Sequence, residues 1–174
     1  MRHAVGAITL ALALALGCGR AAGPAGAPPT MNKAGLLDTL GALIGAPPFT
    51  EATVSRLTGA TLADTPHSNP YFRVLRSAAG ASGGFASVEL REPTAQSPGK
   101  GGLVILEIAA PCLTRADVGS RFGAPEDRPP EPPSPEMPPD SPEYDTVPQP
   151  WGELRLGYRP STGCLVSVVL DAIG

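Results

Sequence analysis

The sequence predicts an α+β fold: an antiparallel sheet of about five strands with two or three short helices packed on one face. Three observations lead there. Two segments, 32–45 and 50–59, combine helical apolar spacing with capping residues at both ends. Five segments rich in β-branched or apolar residues are separated by short Gly/Ser/Pro turns. Finally, eleven of the 22 prolines crowd between Ala124 and Pro150, which leaves the rest of the 174 residues with ordinary composition for one modest domain.

From the N-terminus, Met1-Arg2-His3 gives a short positive start. Ala4–Leu16 is apolar, interrupted only by Gly6 and Thr9. Thirteen helical residues span about 20 Å, against a hydrocarbon core of about 30 Å, so residues 1–17 read as a signal peptide rather than an anchor. Ala15-Leu16-Gly17-Cys18 resembles a bacterial lipoprotein signal, in which a small residue precedes a Cys that becomes lipidated and N-terminal. Residues 18–31 then form a flexible tether held to a membrane by lipid on Cys18. The alternative is ordinary cleavage near Ala22 and secretion. Either way Cys112 and Cys164 remain as one even pair in an oxidising compartment, which reads as a disulfide worth about 4 kcal/mol. A thiol nucleophile is the competing possibility, and His67 would be its only histidine base.

Asn32 is a plausible N-cap for a helix whose stripe is Leu36, Leu37, Leu40, Leu43 and Ile44, ended by Gly45 and Pro47-Pro48. Thr50 caps a second helix terminated by Gly59, with Phe49 and Val54 as a hydrophobic staple. Residues 113–124 repeat that pattern at an offset of 64: Thr50/Thr114, Ala52/Ala116, Val54/Val118, Gly59/Gly123 and Ala60/Ala124 are identical. Two tandem helix–sheet half-repeats are therefore a further reading, with shared capping rules as the alternative source of the likeness. The strands are Tyr71–Ser77, Phe85–Arg91, Leu103–Ala109, Trp151–Arg159 and Leu165–Asp171, the third central because it is apolar on both faces apart from Glu107. Within the domain at 32–174, residues 124–150 carry seven acids and one Arg. Such a segment buries too little apolar surface to offset ordering entropy, so a disordered, Pro-rich acidic insertion is expected.

Several patterns look catalytic without the chemistry. Gly80-Ala81-Ser82-Gly83-Gly84 fits a nucleophile elbow, but that needs a helix after it and a later His, and here a strand follows and none of the later residues is His. Ser97-Pro98-Gly99-Lys100 fits a Ser/Lys pair, but its Gly/Pro context is a turn. Glu89 and Glu107 could face each other as a carboxylate pair, although Arg73, Arg76 and Arg91 are available to pair with them. His67 reads as a loop residue, and Trp151 and Tyr158 as core. Two histidines exclude a multi-histidine metal site, and no cofactor or metal is expected. Cleavage at Cys18 removes Arg2, leaving twelve basic against sixteen acidic residues, so a nucleic-acid partner has no electrostatic footprint.

The run Leu113-Thr114-Arg115-Ala116-Asp117-Val118, closed by Gly123-Ala124-Pro125 and followed by Trp151 and two strands ending at Leu170, resembles the SmpA/OmlA (BamE-type) family of small lipoproteins of the outer-membrane barrel-assembly machinery. A tandem version would resemble the β-lactamase-inhibitor-protein fold. The resemblance implies a helix–sheet unit and an envelope setting, and carries over no functional residues. Taken together, these readings give an exported lipoprotein on a membrane facing the periplasm, by expectation the outer membrane. It would act as a protein-binding or structural module with an unidentified protein partner. The alternative is a secreted binder or inhibitor; an enzyme is not expected.

Overall fold

The computed structural model describes residues 31–80, 83–123, 125, 138 and 140–172. The signal segment, Cys18, the tether up to Thr30 and residues 126–137 of the acidic segment lie outside the described residues. Helix α1 spans Lys33–Ile44, and Asn32 opens it by accepting the Gly35 N–H at 2.8 Å. Helix α2 spans Glu51–Thr58 and is capped by Thr50. It ends at Gly59 with φ 70°, a left-handed conformation that glycine adopts without steric cost. Helix α3 spans Arg115–Phe122 and begins with a full capping box, in which Thr114 and Asp117 satisfy each other's backbone N–H groups.

The described residues form seven strands where the sequence predicts five. They are β1 (Leu62–Asp64), β2 (Phe72–Ser77), β3 (Phe85–Pro93), β4 (Leu103–Ile108), β5 (Glu143–Gln149), β6 (Gly152–Tyr158) and β7 (Leu165–Asp171). They form one antiparallel sheet in the order β1-β2-β3-β4-β7-β6-β5. The five expected strands are β2, β3, β4, β6 and β7; the two additions are the edges. Strand β5 also corrects the expected extent of the acidic insertion. From Glu143 to Gln149 the chain pairs with β6 over its whole length and buries Val147, so backbone pairing orders a segment whose side chains alone would not.

Helix α2 leads into the meander β1–β4 and helix α3 into the meander β5–β7; the two meet through their last strands, β4 and β7. The glycines that end α2 and α3 are not equivalent in geometry, since Gly123 has φ 98° and ψ 172° where Gly59 is left-handed helical.

Period-two alternation aims side chains from every strand at the helices, β1 contributing Leu62 alone. Leu75, Leu90, Val104, Leu170, Leu154 and Val147 are direct cross-strand partners in sequence across the sheet. Val88, Leu106, Val168 and Leu156 make the next row. Both rows join Leu36, Leu40 and Leu43 of α1, Val54 of α2 and Val118 of α3 in one core. The helices therefore cover a single face. Trp151 ties the β5–β6 turn to that layer: its indole N–H donates to the Ile44 carbonyl at 3.0 Å, and its ring meets Phe49 edge-on. Tyr158 lies in the core, as expected, and Trp151 is partly buried against it.

Candidate functional site: the open face of the sheet

The alternation that feeds the core sends the other half of each strand to a face that none of the described helices covers. Over the part of that face where β2, β3, β4, β7 and β6 run together, the residues are ion-paired. Glu89 is buried between Arg76 at 2.6 Å and Arg91 at 3.0 Å, and Arg155 meets Asp171 at 2.5 Å. The aliphatic stems of these arginines lie beside Val74 and Leu103, which are buried yet outside the helix-side core. Glu89 and Glu107 do not form a pair: Glu89 stands opposite Ile105 and Glu107 opposite Ser87. Arg73 belongs to the helix side, where it bonds Asp64 and Glu51.

Toward the other end of the strands the ion pairs stop and a groove of about 680 Å³ opens. Its floor includes Ile105 of β4 and Val166 and Ser167 of β7; Tyr144 of β5 flanks it on one side and Ala86 of β3 on the other. The Cys112–Cys164 disulfide and Arg159 close one end. Tyr144 is half exposed and lies against Gly157, where a Cβ would stand 2.8 Å from a ring carbon, so glycine is what lets the ring lie flat on β6. Its hydroxyl bonds the Ser167 hydroxyl at 3.3 Å. Glu107 is exposed on the floor; it accepts the Ser87 hydroxyl at 2.7 Å and, among the described residues, has no cation against it.

The frame around the groove is stiff for identifiable reasons. Cys112 and Cys164 are joined with a Cα–Cα distance of 5.1 Å, as the cysteine count predicts. Next to the bridge, the Leu165 N–H donates to the Leu113 carbonyl at 2.8 Å and the Arg159 N–H to the Cys164 carbonyl at 3.0 Å. Asp140 accepts both the N–H and the hydroxyl of Ser161 at 2.8 Å, which holds its carboxyl below the usual carboxylate range, with Arg159 at 3.6 Å adding to the effect. On the helix side Arg115 lies 4.5 Å over the Tyr158 ring and bonds Asp145 at 2.9 Å, which clamps β5 against α3. Burial pushes the Tyr158 phenol up to about 12.

The other candidates stand apart. His67 is exposed in the turn before β2, and Ser97–Lys100 lies in the turn between β3 and β4. Ser82 and Cys18 fall outside the described residues. No group of three His, Cys, Asp or Glu side chains among the described residues could hold a metal ion, and no described helix is long and apolar enough to cross a membrane. Sequence reasoning missed Tyr144, Arg159 and Glu107 as neighbours. A lone tyrosine in an acidic, proline-rich stretch was the only cue to the first. Comparison with protein-family models, curated proteins and solved structures finds no match to the chain. The groove itself presents an aliphatic floor, one aromatic ring, the Glu107 carboxylate and a guanidinium at the rim. That combination suits an extended peptide, whose side chains meet apolar surface while its polar groups find a few fixed partners.

Proposed function

We propose that this chain is an exported lipoprotein, held by lipid on Cys18 to a membrane facing the periplasm, whose domain serves the cell envelope as a protein-binding module rather than an enzyme. The observation that carries the binding role is the sheet face that none of the described helices covers, with its groove under Tyr144, framed by a disulfide. The Cys112–Cys164 bridge favours an oxidising compartment. The signal pattern at residues 1–17 and the small residues before Cys18 favour lipidation over plain secretion. The outer membrane and the likeness to the SmpA/OmlA (BamE-type) lipoproteins are the finer parts of the proposal, resting on residues 113–125 and the strands that follow.

Replacing Cys18 by Ser is expected to abolish both palmitate labelling and recovery in the membrane fraction. Retention of both would overturn the lipoprotein reading in favour of a secreted binder or inhibitor. Co-purification with outer-membrane assembly proteins that is lost on Tyr144→Arg would support the envelope role at the groove; co-purification indifferent to that substitution would move the role elsewhere on the molecule.

A further inference from the structure

We propose that the groove reads a basic residue. It takes an extended segment of a partner protein that sets a lysine or arginine side chain on Glu107 and, two residues away on the same face of the segment, an apolar side chain on the Tyr144 ring. The proposal deepens the protein-binding reading of this groove and rests on it. One row of the open face carries it. Ser87, Glu107, Ser167, Gly157 and Tyr144 are direct cross-strand partners in succession, from β3 through β4, β7 and β6 to β5. Glu107 therefore stands one strand spacing, about 5 Å, from Ser167. The Tyr144 ring lies over Gly157 and extends back toward Glu107 as far as Ser167, whose hydroxyl it bonds. Side chains on one face of an extended chain recur about every 7 Å, so a carboxylate and a ring placed this way suit two positions of a segment crossing the strands.

Charge selects the residue. Glu107 is exposed; the Ser87 hydroxyl donates to its Oε2, and among the described residues no cation lies against it. The arginines of the open face are engaged with other carboxylates: Arg76 and Arg91 hold Glu89, Arg155 holds Asp171, and Arg159 faces Asp140. Beside Glu107 the floor is aliphatic, with Ile105 two residues back on the same face of β4. Lysine and arginine match both features at once, since each carries its charge on an apolar stem that packs along such a floor while the head reaches the carboxylate. An acidic or neutral side chain at this position would satisfy the floor and leave Glu107 without its counter-charge.

The test is selection from a displayed library of random heptapeptides on the purified full chain, followed by fluorescence anisotropy with synthetic copies of the selected sequences. The expected result is enrichment of Lys or Arg with an apolar residue two positions away. Binding should weaken about three-fold with Glu107→Gln, as a partly exposed ion pair gives, and further with Glu107→Arg. Its salt dependence should shrink in Glu107→Gln, because the screened charge pair is gone. Tyr144→Arg should abolish it. The Cys112–Cys164 bridge, mapped by mass in each variant, reports that the domain has folded. Peptides that are lost with Tyr144→Arg but bind Glu107→Arg as tightly as the unaltered chain would overturn the basic-residue proposal and leave the groove a peptide site. Peptides indifferent to Tyr144→Arg would overturn the groove reading as well. Failure to enrich any peptide would also overturn the proposal, and a dimer that Tyr144→Arg dissolves in sedimentation would then make a second copy the occupant.

Discussion

At the scale of single residues, Asp117 shows how one carboxylate can serve two elements. It completes the capping box of α3 with Thr114 and bonds Lys33 of α1 at 2.8 Å. The Lys33 ammonium, followed by the Thr114 donors, holds its carboxyl down at about 2, from an ordinary value of 3.8. A lowered folded-state value means that the unfolded chain takes up the proton first as pH falls. The contribution of Asp117 is therefore complete above about pH 4 and is lost as the pH drops through 2. Denaturant midpoints measured between pH 5 and 2 should fall less steeply in Asp117→Asn than in the unaltered chain. Parallel curves would show that the Lys33 pair is not formed in solution. The capping half of this arrangement was legible, since Thr114 stands where an N-cap should; the bond to Lys33 spans 84 residues and required the fold.

At the scale of elements, the sequence reports best on what is buried on a regular period. Strands β2, β3, β4, β6 and β7 each bury several side chains, and alternation or an apolar run exposes them. The two missed strands are the edges. Strand β1 has three residues, of which only Leu62 is buried, and β5 buries only Val147 among acids and Pro148. Such edges keep their pairing groups short or charged, which hinders sheet-to-sheet association and also erases the pattern by which a strand is read. Glycines divide in the same way between legible and illegible roles. Gly119 sits inside α3 with nothing near its missing Cβ, whereas a Cβ on Gly152, at the start of β6, would stand 2.0 Å from the Asp171 carbonyl oxygen. Gly119→Ala should stabilise the domain by about 0.5–1 kcal/mol through lower backbone entropy in the unfolded chain. Gly152→Ala should instead separate β6 from β7 and lower the thermal midpoint by several degrees. Equal effects in calorimetry would contradict the close approach of Gly152 to β7.

At the scale of the whole molecule, the groove needs Ala86, Ile105, Tyr144 and Val166 to converge from four strands. Their proximity depends on the β4–β7 junction, which local patterning does not encode. The disulfide is the opposite case, because cysteine count and compartment are enough to propose it. Its energetic role follows from the loop it closes. Cys112 and Cys164 are 52 residues apart, and that loop contains the whole acidic proline-rich segment. In the chain-entropy model the bridge contributes about 4 kcal/mol by restricting the unfolded chain. Cys112→Ala with Cys164→Ala should lower the unfolding free energy by about that amount in urea titrations. The same logic gives the acidic segment little influence on stability. Closure entropy varies with the logarithm of loop length, so deleting residues 126–137 should change the contribution of the bridge by only about 0.2 kcal/mol. A much larger loss on deletion would mean that this segment packs against the domain. A loss well under 4 kcal/mol in the double Ala variant would mean that the Leu165–Leu113 backbone bond and the Arg115 clamp already hold the two meanders together.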